Sequence, residues 1–431
     1  MKIYKLNMGQ DKLNTEFNSD STPESIKNSI SVSSDLRKEL QTEIKKIGGF
    51  SSISLPYASE YILSVAKYMP KDLISNQHLM NIKILADNFT DNLTSFLIFE
   101  SRLNSYDAKS DYCFAVSSKS GEREILSDQF KNKTLPESFL KQSEWQQLGE
   151  FVNSWTDPKS ILYDSIIGIW FEFDTASEIS NDPAPSIFFQ PKSNYAITGD
   201  VHSQNIWITK IALPPLLGRE LSSNVEAKVL ECINKLPLEA SLFQIGTMLS
   251  RKDDEIRIVI KRIRAEEIIS YLESIGWADE EENKLSCLLE EIKDIVSRIV
   301  LHISVGENVN PKVGIECSFY PDNFHKEEGW KKLLNYLSEK GLCNKEKYAA
   351  LLKFSGIEPQ DHDEYFDPNK CTPAVRISDE EYSSALIRYI SHVKLVYEPN
   401  KTIQAKAYPA VRLFGHPYES NSQNTKLLRE K

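Results

Sequence analysis

The chain lacks the signatures by which several enzyme classes are read from sequence. It has no Gly-x-Gly-x-x-Gly, no Gly-Lys-Ser/Thr phosphate loop, no His-Glu-x-x-His and no Gly-x-Ser-x-Gly. Dinucleotide redox chemistry, nucleotide hydrolysis, zinc proteolysis and the common serine hydrolases are therefore disfavoured. Its 6 cysteines are scattered without a Cys-x-x-Cys pair, and its 7 histidines are equally dispersed. That pattern excludes a disulfide framework or zinc knuckle and fits a reduced, cytoplasmic protein. No apolar run is long enough to span a bilayer, and the polar stretch up to Ser34 holds no signal-peptide core. Positive charge is also short: 51 Lys+Arg against 62 Asp+Glu give a net charge of −11. A nucleic-acid or anionic-membrane surface needs the opposite balance, so neither is an expected partner. An anionic substrate would need a local cluster of cations set against that field.

What is present is an ordinary globular composition. With 431 residues, 40% of them hydrophobic, the chain can bury a sizeable core. Residues 1–34 are polar and expected to be disordered or loosely ordered. From 35 to 108 apolar residues recur at helical spacing, as at Leu36, Leu40, Ile44 and Ile47 and again at Ile82, Leu85, Phe89, Leu93 and Phe96. This predicts a helical extension. From 109 to 415 the period becomes two, and five pairs of strands are predicted: 112–117 with 122–126, 167–174 with 186–190, 243–249 with 256–260, 299–305 with 313–320, and 392–397 with 403–413. Helical stretches at 137–152, 224–236, 265–275, 280–295, 328–340, 345–353 and 379–390 separate them. Residues 416–431 read as a flexible tail. Strands in adjacent antiparallel pairs exclude a doubly wound parallel sheet.

Alternation then sorts the side chains by face. Lys406, Tyr408 and Arg412 share a face, as do His392 and Lys394, Arg298 and His302, Glu316 and Tyr320, Arg257 and Lys261, and Trp170 and Glu172. The opposite faces are mostly Val, Ile, Leu and Phe. An open sheet with one solvated face accommodates this pattern. So does closure into an antiparallel ten-stranded barrel of five helix–strand–strand–helix units, ringed by helices, with the polar face inward. The helices between the pairs need a surface to cover, and the polar face is rich in aromatics and cations. An α+β barrel whose lumen forms a ligand cavity is therefore the expected fold.

In this order of elements the chain resembles the ABBA-type aromatic prenyltransferases, the dimethylallyltryptophan-synthase-like branch in particular. Lys406-Ala-Tyr408-Pro is similar to the family's Lys-x-Tyr strand motif, and Pro237-Leu-Glu239-Ala-Ser241 with Arg257 beyond it is similar to its Pro-x-Glu-x-Ser segment and following Arg. The resemblance implies that Glu239 assists deprotonation of an aromatic acceptor while Arg257, Lys406 and Tyr408 hold a diphosphate. The chain departs from the family in placing the Glu segment before the third hairpin, not the first. Glu239 also falls out of phase with the polar face.

The residue types suit an allylic diphosphate on their own chemistry. Arg257, Lys261, Arg298, Lys394 and Lys406, with His302, are candidates for gripping the anion as charge separates. Trp170, Tyr320 and Tyr408 are candidates for shielding an allylic cation. Glu239, Glu172 and Glu316 are candidate bases. The expected activity is transfer of a prenyl group from an allylic diphosphate to an aromatic or peptide side-chain acceptor, in secondary-metabolite or peptide maturation. It requires no cofactor, with Mg2+ at most an aid. The alternatives are an accessory protein without catalysis that binds a peptide or small ligand on a concave polar face, and a maturation enzyme of unrelated chemistry. Asp87 to Asp91 resembles an Asp-rich magnesium motif but lacks its second adjacent Asp. Asp361, His362, Asp363 and Asp367 read as a solvated turn, and the acidic run 279–282 as a helix start.

Overall fold

The computed structural model describes residues 58–89, 93–94, 96–118, 121–176, 183–192, 205–251, 255–278, 283–319, 327–360 and 382–417. The expected loose N-terminus, Tyr320, the run 279–282, the 361–367 acidic loop and nearly all of the expected tail lie outside these residues. The described strands are β1 Phe96–Arg102, β2 Ser110–Ser117, β3 Ile166–Phe173, β4 Ser186–Pro191, β5 Ser241–Thr247, β6 Ile256–Lys261, β7 Arg298–Val305, β8 Val313–Ser318, β9 Gly356–Gln360, β10 Tyr382–Tyr397 and β11 Gln404–Pro417. Each of β1 to β7 pairs antiparallel with the next, β8 pairs with β10, β10 with β11, and β11 returns to β1. Ten strands thus form a closed antiparallel ring. The short β9 adds to the half of β10 that β8 does not cover. Closure removes the open edges that a ten-stranded sheet would otherwise expose.

Two expected assignments, one strand and one helix, are corrected. Residues 122–126 are not the partner of β2; they begin the helix Glu122–Lys131. Gly121, at φ +78°, turns the chain there, and the Glu122 carboxylate accepts the Ser117 N–H at 2.7 Å. Acidic residues in a first helical turn favour that outcome. The partner of β2 is β1, in a stretch whose Phe96 fitted a helical period. The second correction concerns 379–390, expected as a helix. From Tyr382 onward it is strand, held by β11 on one edge and β9 on the other. Long-range pairing overrides local propensity here.

Outward-facing residues of the barrel form the main core with the surrounding helices. Phe114 of β2 stacks on Phe171 of β3 at 4.7 Å, and Phe89 meets Phe114 edge-on at 5.0 Å. On the helix Ser143–Thr156, Trp145 approaches Phe89 and Trp155 donates its indole N–H to the Ile166 carbonyl at 3.1 Å. Lys347, 1% exposed, donates to the Asp107 carbonyl at 2.9 Å and lies within 3.5 Å of Leu73 O and Ser101 Oγ. It ties the helix Lys345–Phe354 to the first hairpin. No helix among the described residues is long and apolar enough to cross a membrane.

The seam between β4 and β5 depends on Gly246, where a Cβ would collide with the Ile187 carbonyl. Gly246→Ala is expected to lower stability by about 1–3 kcal/mol in denaturant unfolding. Gly306→Ala meets nothing within 4 Å and should fall within about 0.5 kcal/mol of the parent.

Candidate active site in the barrel lumen

Inward-facing residues surround a cavity of about 210 Å³. Its middle is aromatic: Phe96, Trp170, Phe188, Phe243, Tyr389 and Tyr408 line it. Phe96 and Trp170 meet edge-on at 5.0 Å, and the Arg412 guanidinium lies 4.4 Å from the Phe96 ring centroid. Arg298, Lys394, His302, His392, Glu316 and Glu172 complete much of the polar lining. Gln190, 2% exposed, also lines the cavity, and its Nε2 has no hydrogen-bond partner among the described residues.

Three sets of charges are built across strands. In the first, Glu100 of β1 accepts from Lys406 Nζ at 2.5 Å and from the Tyr408 hydroxyl, both on β11. Burial alone would raise the Glu100 carboxyl, but Lys406 and Lys394 outweigh it and bring it down to about 2. In the second, Glu316 Oε1 lies 2.5 Å from His302 Nε2 and 3.4 Å from His392 Nε2. Lys394 Nζ reaches His302 Nδ1 at 3.1 Å, and His392 stacks on Tyr408 at 4.0 Å. Burial pushes the Glu316 carboxyl up, and the facing histidines and Lys394 more than offset this, so it is held ionised. In the third, Asp174 pairs with Arg251 at 2.5 Å and accepts from Ser250 at 2.9 Å.

Glu172 differs from these. Among the described residues it takes no salt bridge, and burial with the Glu100 charge raises it to about 7 against Lys394, Arg251 and Lys406. Its proton is therefore exchangeable near neutrality, which is the condition for a general base or acid. The lumen can hold an anion against cations, enclose an apolar chain among rings, and accept a proton.

The structure gathers Trp170, Glu172, Arg298, His302, Glu316, Lys394 and Tyr408 around the cavity. Lys406 bonds Glu100 and is not among the residues that line the cavity. Arg257 shares the inward phase but bonds Ser304 Oγ and faces Glu255 at 3.7 Å. Lys261 is 4% exposed with its ammonium 5.0 Å from the Phe243 centroid. Glu239 is corrected: it is exposed, in the turn closed by Ala240 N–H on the Pro237 carbonyl at 2.9 Å, and does not line the cavity. Its strand begins only at Ser241. Glu100, Phe188, Gln190 and Tyr389 were not anticipated. The signal for Glu100 was an acid in a run of β-formers, Phe-Leu-Ile-Phe-Glu. Among the described residues no group of three or more His, Cys, Asp or Glu could hold a metal ion.

No known family profile matches the chain, and no curated protein matches it in sequence. Among solved structures it is similar in fold to the apo form of the prenyltransferase PriB, at 12% identity and a TM-score of 0.46, over 84% of this chain and 98% of that one. It is similar also to 5-dimethylallyl tryptophan synthase from Streptomyces coelicolor in complex with DMASPP and Trp, at 9% identity and 0.44, over 81% and 92%. AnaPT from Neosartorya fischeri gives 12% identity and 0.40, over 82% and 91%.

Lys406→Met leaves the Glu100 carboxylate buried without its cation, and should destabilise the fold by about 3–5 kcal/mol in denaturant titration. Glu172 has the opposite linkage to a paired acid. Its folded value of about 7 exceeds the ordinary 4.5, so the unfolded chain gives up the proton first. Stability should fall as pH rises from about 4.5 to 7 and level off above. In Glu172→Gln that part of the slope should vanish from melting curves taken across the window.

Proposed function

We propose that the barrel transfers a prenyl group from an allylic diphosphate to an aromatic acceptor held within the lumen. The observation that carries this reading is one cavity in which aromatic faces enclose Lys394, Arg298 and Arg412 together with a carboxyl that titrates near neutrality. Lys394 is anchored by an imidazole nitrogen, a neutral acceptor, so its charge remains directed at the cavity. A diphosphate oxygen offered there gains a charge-assisted bond.

The step follows from that placement. The carbon–oxygen bond of the donor breaks and its electron pair leaves with the diphosphate. Cations that hold the leaving group more tightly as its charge grows lower the barrier. The allylic cation is shielded by the faces of Trp170, Phe96 and Tyr408, and the packed wall excludes water that would quench it. The acceptor ring forms the new bond and gives up its proton, which ionised Glu172 takes and returns to solvent. No electrons are exchanged with a redox group. The Gln190 Nε2, without a hydrogen-bond partner among the described residues, offers a hydrogen bond to a carbonyl of the acceptor, as a peptide would present. Glu100 and Glu316 are engaged by Lys406 and by His302 and His392, and no step is routed through Mg2+.

A second reading is an accessory protein that holds a peptide or small ligand without catalysis. It is favoured by one observation: Lys406 and Arg251 already face carboxylates of the protein itself.

Incubation with dimethylallyl, geranyl or farnesyl diphosphate and a panel of indoles, phenols and aromatic peptides should yield a mass adduct of one prenyl unit. Glu172→Gln should slow it by about 10²–10⁴-fold. No adduct with any donor, and no thermal stabilisation by inorganic diphosphate, would leave the accessory reading.

A further inference from the structure

We infer that the His302–Glu316–His392 cluster makes the lumen a proton-linked oxyanion site, in which binding of a diphosphate draws one proton onto the histidine pair. This rests on the prenyl-transfer reading and says how its donor would be held.

One carboxylate oxygen serves two imidazoles, at 2.5 Å from His302 Nε2 and 3.4 Å from His392 Nε2. His302 Nδ1 is occupied by the Lys394 ammonium at 3.1 Å. It must therefore be the accepting nitrogen of a neutral ring, whose single proton lies on Nε2 toward Glu316. His392 meets the Ser391 hydroxyl through Nδ1 at 3.1 Å, while its buried Nε2, at 3.4 Å from Glu316 Oε1, makes no hydrogen bond among the described residues. The cluster thus holds one carboxylate, one ammonium and two neutral rings, with a proton position unfilled at His392.

The groups facing these rings come from every wall around them. Lys394 of β10 acts on both rings, Arg298 of β7 on His392 and Arg257 of β6 on His302, and each disfavours imidazolium. Glu316 of β8 favours it, and Tyr408 of β11 covers the His392 face. Burial and the cations hold His392 down at about 4 and His302 below its ordinary value. All of these except Arg257 line the cavity. An oxyanion placed there compensates Lys394 and Arg298 and so removes the cationic part of what kept the ring neutral, burial remaining. The histidine value rises on binding, so between the empty and occupied values the site gains a proton with the anion. The sign is then fixed: affinity is greatest at lower pH, weakens by up to about tenfold per pH unit between the empty and occupied values, and levels off above the occupied one.

Isothermal titration of the full chain with inorganic diphosphate, at pH 6.5 in two buffers of unlike ionisation enthalpy, tests this. The wild-type chain should show up to about one proton taken up beyond that seen for His392→Phe, which keeps a ring on Tyr408 but cannot be protonated. The diphosphate's own titration is common to both and cancels. Binding with equal proton exchange in the two proteins overturns the inference and leaves the prenyl-transfer reading standing. Absence of any binding defeats both. Should His392→Phe not fold, sulfate binding to the wild-type chain decides, because sulfate does not titrate between pH 6 and 8. A dissociation constant that rises with pH supports the inference, and a flat profile overturns it.

Discussion

A carboxylate enclosed where two ends of the sheet meet sets the terms for the rest of the lumen. Glu100 is 4% exposed on β1, and the groups that receive it, Lys406 and Tyr408, both come from β11. An ionised carboxyl without such partners would be too costly to bury. The seam must therefore close in the register that delivers an ammonium and a phenol to it. Buried pairs of this kind are weak evidence of net stability, but they penalise other registers. Tyr408, fixed by Glu100, presents its ring to His392, and His392 lies against Glu316. The polar half of the cavity is thus built outward from the seam.

The same arrangement explains how an acidic chain can offer a site to an anion. Glu100 and Glu316 are each met inside the barrel by cationic or imidazole partners, and Asp174, beyond the end of β3, is met by Arg251. Their charges are compensated over a few ångströms and contribute little at the aromatic belt. Among the described residues Glu172 takes no salt bridge, and burial keeps it partly protonated instead. The global charge of −11 consequently says little about the potential inside the cavity, while it still weighs on encounters at the outer surface.

How much of this could be read from the chain depended on contrast between the two faces of a strand. On β7 and β8, Arg298, His302 and Glu316 alternate with Ile299, Leu301, Ile315 and Cys317, so both the strands and their inward face were legible. β1 has no such contrast. Phe96 to Ser101 are all buried, because the lumen beside Phe96 and Ile98 is itself apolar and Glu100 is enclosed by its partners from β11, and the run passes for the end of a helical pattern. β10 was half read: His392 and Lys394 mark its second part, whereas the first is strand only because β9 and β11 flank it. Glu239 shows the limit of a local motif, since a turn separates it from the strand whose phase would have mattered. Which carboxylate meets which cation was not legible at all. Those pairs cross strands, and their register is fixed by closure.

The β1–β11 ladder joins Phe96 to Arg412 and Arg102 to Lys406, from nearly opposite ends of the described chain. Such contacts bring a large loop-closure entropy and delay folding until the last strand is available. During synthesis β1 and β2 would be complete long before β11 leaves the ribosome, with one edge of β1 unmatched. The cavity is enclosed only once β11 pairs with β1. Any molecule that binds there binds only the closed ring, so its affinity adds directly to the free energy that keeps the ring shut. Cells with ample ligand would accumulate more of the protein than cells without it, at equal rates of synthesis.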